Sequence, residues 1–463
     1  MSGNLVLGVP PAVLKLVQEG LLERAFHDGL FPALMYRNEA VAEEWGANSG
    51  TEVFMSRPGA MRPIVTPIAP GVDPVPQTVA YEQWVARLSR YAGTIDTHIP
   101  TSVVANSDLF LRNIHQLGLQ AGQSLNRIPR NALFTSYLSG QTCTIAAALA
   151  GATTIRVAAL NGFTDVVQIN SQVRPAPVSP STPLAITIVG VSGTRNVIGY
   201  TPDDPDDPSG PGSLLLDQAL GSAIVDRSPV LSAQRPQVIR AGGGLSVDAI
   251  GAADTFSLQD AINAVNRMRK NNVQPHEDGY YHAHISTDGN SQVFTDPAFQ
   301  RLNTALPDHT YYQEAFIGTI AGIAFFLNSE SPDYSNAGDR IATGTNSFYS
   351  TDIGAETTND SGINIGRIIV TGRGSLVEKW LDERQYVTEA GITGKEGEFT
   401  VVNAGIEVQT ERVRLILRAP MNRLQDVVAA TWSITTCFPV PSDVSSGGPE
   451  RFKRSIVIEH ALD

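Results

Sequence analysis

GTEVFMSRPGAMRPIVTPIAPGVDPVPQTVAYEQWVARLSRYAGTIDTHI, residues 50–99, is the stretch on which the fold turns. Gly50 to Arg57 is strand-prone. Prolines 63, 67, 70, 74 and 76 then fill five of fourteen positions, which forbids helix and leaves only extended, edge-like backbone. A long β-prone run follows from Thr78 to Ile99, with Val79 and Tyr81 in one phase and Trp84, Ala86 and Leu88 in the other. Two strands flanking a proline ribbon predict an elongated hairpin. Such a ribbon is marginal in water by itself, and little in the neighbouring sequence offers to cover it. It is expected to lie on another body.

Upstream, residues 10–26 read as a short amphipathic helix opened by Pro10-Pro11, with Leu14, Val17 and Leu21 on one face and Gly20 weakening it. Downstream, Ser107 or Asp108 can cap a helix in which Phe110, Ile114, Leu117, Ala121, Leu125 and Ile128 form one stripe. Arg112, Asn113, Gln116 and Gln123 lie opposite. Pro129 predicts an end or a kink, with a second helical piece running through Leu133 and Tyr137 to Gly140.

From about 142 to 240 the chain has no Lys, Glu, Met, Trp or His. Short β runs (Thr153–Ala158, Asp165–Ile169, Leu184–Val189, Val197–Tyr200) alternate with Gly/Pro/Ser turns, which reads as an all-β module inserted into a mixed chain. Its expected tip is the acidic stretch Asp203 to Pro208. Beyond the triple glycine 242–244, Ser257-Leu258-Gln259-Asp260 resembles a capping box for a helix with Leu258, Ala261, Ile262, Val265 and Met268 inward, stopped at Asn271-Asn272. A strand over Tyr280–Ser286, a helix over Asp296–Leu302 and a buried run over Ile317–Leu327 follow. The C-terminal third is expected to be mostly strand, notably Glu411–Arg418, Val427–Phe438 and Ser455–His460. The fold class implied is α+β.

The 463 residues suffice for two or three domains, and 42% hydrophobic content is that of an ordinary globular protein. The longest apolar run, Phe316 to Leu327, is far short of the roughly 20 residues of a membrane helix. No basic-then-apolar leader pattern opens the chain, so no signal peptide is expected. Two distant cysteines, Cys143 and Cys437, imply no disulfide framework and a reducing cytoplasm. A net charge of −13 argues against tight nucleic-acid binding, though not against a surface that merely encloses DNA. Five of the 33 basic residues are lysine (15, 270, 379, 395 and 453), leaving 28 arginines. Buried protein–protein interfaces favour Arg over Lys, and a GC-rich genome does the same.

Catalytic signatures are missing. Gly391 to Glu396 has the wrong length for a phosphate-binding loop and lacks its hydroxyl residue; no dinucleotide, zinc-protease or nucleophile-elbow motif occurs. No catalytic residue, cofactor or metal is therefore assigned. His282 and His284 would share one face of a strand, with Glu277 and Asp278 upstream as further metal ligands, although such pairs are common on half-exposed strands. Asp203–Asp207 offers carboxylates to a calcium ion, or is a solvated acidic turn. The Arg412, Arg414 and Arg418 face suits phosphate or the carboxylates of a neighbouring subunit. Arg57, Arg62, Trp84, Arg87 and Arg90 join these three as candidate inter-subunit contacts.

Tyr91 to Asp96 leading to Leu117–Gly122, Tyr312 through Gly318–Ile323 to Asn328-Ser329, and Arg423–Val428 through Trp432 to Ile458–Ala461 carry a resemblance. In this order the chain resembles the major capsid proteins of tailed bacteriophages with the Hong Kong 97-like fold, in the branch of the N-four coat protein. The resemblance implies an N-terminal arm (1–49), an extended loop overlying an adjacent subunit (50–99) and a spine helix (100–141). An inserted β domain (142–241) and the remaining peripheral and axial parts (242–463) complete the implied order. It further implies self-assembly into hexamers and pentamers of an icosahedral shell around double-stranded DNA. The expected partners are portal, scaffold and decoration proteins, without membrane or sequence-specific DNA contact, in a virion assembled in the host cytoplasm. Lys15 is the sole lysine before position 270, so the loop lacks the lysine that covalent cross-linking in some relatives requires. The rival readings are an encapsulin-like compartment and, less favoured, a β-rich surface enzyme or adhesin.

Overall fold

The structure, a computed structural model, describes residues 21–30, 34–46, 50–58, 64–77, 81–98, 109–170, 172–304, 318–328, 331, 363–382, 393–396, 399–402, 405–410, 412–418, 426–441 and 454–462. The fold is mixed α/β and rich in strands. The chain divides into two compact units. The first comprises Met1–Val53, Val85–Arg130 and Leu376–Pro439; the second comprises Phe54–Trp84, Asn131–Ser375 and Val440–Asp463.

The first unit is one eight-stranded sheet under helices. The strand order is Ala40–Glu44, Leu376–Trp380, Val427–Cys437, Val413–Arg418, Gly405–Thr410, Phe399–Val402 and Thr393–Glu396, with Ser89–His98 also paired to Val427–Cys437. Alternation decides which face is covered: Val413, Leu415 and Leu417, with Val428, Ala430, Trp432 and Ile434, all point into one core. The stripe Phe110, Ile114, Leu117, Ala121 and Leu125 meets them, together with Leu22, Phe26 and Leu30 of the helix Leu21–Leu30. That first helix presents a different face from the one expected. Leu22 and Phe26 are buried and Leu21 is exposed, while Leu14 and Val17 lie outside the described residues. The two helices touch through glycines. A Cβ on Gly29 would sit 2.5 Å from the His115 carbonyl oxygen, and one on Gly118 would overlap the Phe26 carbonyl.

Pro129 does not end its helix, which runs unbroken from Leu109 to Tyr137. An interior proline costs about 3 kcal/mol, but Leu125, Leu133, Phe134 and Tyr137 on either side are all fully buried. At roughly 1.5–3 kcal/mol for each buried side chain, continuing the stripe outweighs the lost hydrogen bond.

In the second unit, Val238–Arg240, Ser455–Ala461, Ile365–Thr371, Tyr281–Ile285, Ile323–Leu327 and Thr319–Ile320 form one six-stranded sheet in that order. Every residue of Ile365–Thr371 and Ser455–Ala461 is buried, so both faces are covered and strict alternation is lost. The helix Leu258–Lys270 lies against this sheet. Its capping box joins Ser257 and Asp260 as expected, and Asn272 ends it at φ +58°. Ala264 takes the inward place expected of Ile262, which is half-buried. The run Ile317–Leu327 is not one buried element but a hairpin turning at Ala321-Gly322, with Phe326 and Leu327 exposed. The helix expected over Asp296–Leu302 spans Pro297–Thr304, and Thr287–Thr295 before it is a helix the sequence pattern did not announce.

A second six-stranded sheet in this unit takes the order Gln141–Cys143, Pro229–Ser232, Leu184–Ile188, Arg195–Pro202, Gly212–Leu216 and Thr154–Val157. Its own core includes Ile155, Phe163, Ile186, Val197, Leu214 and Val230. The strands Asp165–Asn170 and Gln172–Pro177 instead join Glu52–Pro58 and Tyr81–Arg87 in a four-stranded sheet. Two expectations change here. The run Thr78–Ile99 is split at Leu88 into two strands that belong to different sheets. And the hairpin base is not uncovered: Tyr81 and Glu82 pair in parallel with Gln172 and Val173 of the same chain.

Candidate assembly surface

The hairpin has a fixed base and a bare far end. At the base, the Arg57 Nε donates to Glu82 Oε1 at 2.6 Å, and the guanidinium lies 5.5 Å from the centre of the buried Trp84 ring. Burial, and secondarily Arg454, lowers the Arg57 guanidinium from its ordinary value, with Glu82 opposing. Tyr137 is enclosed in the same cluster; its hydroxyl donates to the Ser375 carbonyl at 3.4 Å, and burial pushes its pKa up to about 12. Breaking a largely buried pair such as Arg57–Glu82 costs about 3–5 kcal/mol. The base is therefore held to its unit by chemistry, not only by strand pairing.

Beyond it, all fourteen residues from Ile64 to Gln77 are exposed. They include Ile64, Val65, Ile68, Val72 and Val75, of which Val65 is 89% and Val75 85% exposed. The ribbon folds back at Ala69-Pro70-Gly71-Val72, where the Val72 N–H donates to the Ala69 carbonyl at 3.2 Å and Gly71 takes φ +84°. Proline followed by a left-handed glycine is the signature of a type II turn, legible in the sequence and missed there. Four prolines stiffen these residues, so little chain entropy remains to be lost when a partner covers them.

The candidate contacts lie in different environments. Arg87 pairs with Glu52 at 2.9 Å near the surface, and Arg90 donates to the Ser433 hydroxyl at 3.2 Å. Arg62 lies outside the described residues. Arg412, Arg414 and Arg418 do not form one open face. Arg412 sits at φ +66° ahead of its strand and gives Nη1 to Glu378 Oε2 at 2.6 Å, Arg414 is buried, and of Arg418 only the backbone is described. Glu378 also accepts from Arg37 Nε and Nη2 at 3.0 and 2.7 Å. The neighbouring-subunit carboxylate expected for Arg412 is thus supplied from within.

The other constellations are likewise engaged. His282 Nε2 lies 2.9 Å from Asp278 Oδ2, and its ring stacks on His276 at 3.9 Å. Phe326 stands against both His282 and the buried His284, and Glu277 pairs with Arg373. Burial pushes the Asp278 carboxyl up, but the Tyr280 N–H and His282 outweigh it and leave the value lowered. In the acidic turn, Asp203 pairs with Arg156 and Asp207 accepts from Ser209, while Asp204 accepts the Asp206 N–H. These carboxylates are organised by local partners. No helix of the described residues is long and apolar enough to cross a membrane.

No protein-family model matches the chain, and no curated protein sequence does. Solved structures do. Their likeness is to phage capsids. The cyanophage Pam1 capsid asymmetric unit matches with a TM-score of 0.48 at 9% identity, over 94% of this chain and 92% of that one. The capsid of cyanophage P-SCSP1u gives 0.46 at 10% identity, over 92% and 88%, and that of Ralstonia phage GP4 gives 0.46 at 10%, over 92% and 87%.

Proposed function

We propose that the chain is the major capsid protein of a tailed bacteriophage, and that its activity is assembly with copies of itself. The observation that carries this is the bare ribbon of residues 64–77. A proline-stiffened segment presenting five large apolar side chains to water, on a base fixed by Arg57, Glu82 and Trp84, is costly for a solitary molecule and useful in a lattice. Laid on a sister copy, it turns exposed apolar surface into contact. Repeated around a closed shell, modest contacts sum to a stable container.

In this reading the fold is the Hong Kong 97-like one, in the branch of the N-four coat protein. Residues 50–99 act as the extended loop, 100–141 as the spine helix and 142–241 as an inserted β domain. The shell encloses double-stranded DNA in a virion built in the host cytoplasm, with portal, scaffold and decoration proteins as further partners, and the chain performs no catalysis. The test is direct. Purified full-length chain, examined by size-exclusion chromatography and negative-stain microscopy, is expected to give capsomers or closed shells. A variant with residues 64–77 replaced by a short Gly/Ser linker should remain folded and unassembled. Shells of wild-type yield from that variant would overturn the role given to the ribbon, and a concentration-independent monomer of the intact chain would overturn the capsid reading.

A further inference from the structure

The second unit contains a cleft of about 690 Å³ beside the edge strand Val238–Arg240 and the helix Leu258–Lys270. Its polar lining is richest in donors, although the Gln237 amide oxygen is buried there as well. Arg235, Arg240 and Arg267 contribute guanidinium groups, Gln141 and Asn263 contribute amides, and Gly243 lies open at φ +77°, with nothing within 4 Å of where a Cβ would stand. Some of these are already committed. Arg240 holds Glu459, the Gln141 amide oxygen and the Leu245 carbonyl, and the one acidic residue described in the lining, Asp260, is engaged in its capping box. Two donors are not. The Arg267 side chain is exposed and has no partner among the described residues, and the Gln141 amide nitrogen is buried without an acceptor among them. A cleft lined by three guanidinium groups and one buried amide donor suits an oxygen-bearing anion.

The chain carries such a group in a form that can reach out. In the loop between the strands Arg195–Pro202 and Gly212–Leu216, Asp203 and Asp207 are tied to Arg156 and Ser209, Asp204 accepts the Asp206 N–H, and Asp204 and Asp206 stand exposed on either side of Pro205. This turn does not line the cleft of its own molecule. We infer that the cleft of one copy receives the Asp204–Asp206 turn of a second copy, a contact that rests on the assembly reading above. Opposite charge on two preformed surfaces fixes the register of association as well as its strength.

Charge exchange tests it in the full-length chain. Arg267→Glu alone, and Asp204→Arg with Asp206→Arg, are each expected to raise the protein concentration needed for assembly at least tenfold by light scattering. All three together should recover most of the loss. Arg267→Gln, which removes the charge without reversing it, should give a smaller effect in the same direction, and circular dichroism melts separate misfolding from lost contact. If the aspartate variant assembles like wild type, or the triple variant does no better than its parts, the contact is wrong while wild-type shells keep the assembly reading. If Arg267→Glu shells form normally but package less DNA, the cleft binds phosphate and the contact is again wrong. A wild-type chain that never assembles overturns both.

Discussion

Replacing Val65 and Val75 by aspartate should abolish assembly and leave the isolated chain as stable as before. Both side chains are almost fully in water, at 89% and 85% exposure, so nearly all of the roughly 1.5–3 kcal/mol available from burying each one remains to be gained from a partner. Together they account for about 3–6 kcal/mol per contact, and at about 1.4 kcal/mol per tenfold this is a loss of roughly two to four orders of magnitude in association. Aspartate adds a desolvation penalty wherever the partner surface is apolar. Within one molecule both positions are exposed among the described residues, and surface substitutions of this kind stay within about 0.5 kcal/mol. The assay is paired: a concentration series by light scattering for assembly, and thermal unfolding at a concentration below the threshold. An unchanged assembly threshold would refute the reasoning. So would a large fall in the unfolding midpoint of the dilute chain, since it would place these valines in the molecule's own core.

Three further outcomes follow from the interior. Glu459→Gln removes the carboxylate charge that the buried guanidinium groups of Arg240 and Arg367 share and should destabilise by about 3–5 kcal/mol, read from the urea midpoint. Burial pushes the Glu459 carboxyl up, but the two arginines outweigh it and leave its pKa below the ordinary value of 4.5. Its contribution is therefore complete above that value and lost as pH falls through the lowered one, so the Gln variant should show a flatter acid limb. Gly118→Ala drives a methyl into the Phe26 carbonyl and should cost about 1–3 kcal/mol by thermal unfolding, whereas Gly221→Ala, with only an Arg195 tip 3.5 Å away, should cost little. Burial pushes the Cys437 thiol up to about 11. At pH 8 it should react with a thiol reagent roughly two orders of magnitude more slowly than a free cysteine, and fast labelling would show the strand Val427–Cys437 to be open.

Much of the architecture was legible because local chemistry and burial agree. Ser257 with Asp260, the Asn271-Asn272 stop, and the alternation of Val413, Leu415 and Leu417 each name an element and its inward face. Readings failed where tertiary packing overrode a local rule. Pro129 is a helix breaker by itself, but the fully buried Leu125 and Leu133 on either side hold the helix together. The run Thr78–Ile99 has no break in its β propensity, so nothing local shows that Leu88 divides two sheets. Ile365–Thr371 lacks alternation because both its faces are covered, which removed the signal that marks half-buried strands. Of the candidate contacts, the ribbon was readable from proline spacing. The fate of Arg412 was not, because its partner Glu378 is 34 positions away and gives no sequence sign of being buried.

The internal pairing of Arg412 with Glu378 changes what the arginine excess means. The 28 arginines against five lysines suit buried interfaces in principle, yet Arg37, Arg130, Arg367 and Arg414 are buried within their own chain. Two of the uses share one design, a glutamate with a different arginine on each oxygen. Arg37 and Arg412 flank Glu378, and Arg367 and Arg240 flank Glu459. In the second case the three residues are direct neighbours in register across three adjacent strands. A slip of one residue would leave the carboxylate facing aliphatic side chains and strand two cations. Lysine, a point charge with a larger hydration penalty, lacks the planar fork that lets Arg240 hold the Leu245 carbonyl and Gln141 as well. Composition therefore gives no independent support for assembly, since internal register-setting accounts for some of the same arginines. The weight falls on residues 64–77, whose apolar side chains are exposed and uncovered by any of the described residues.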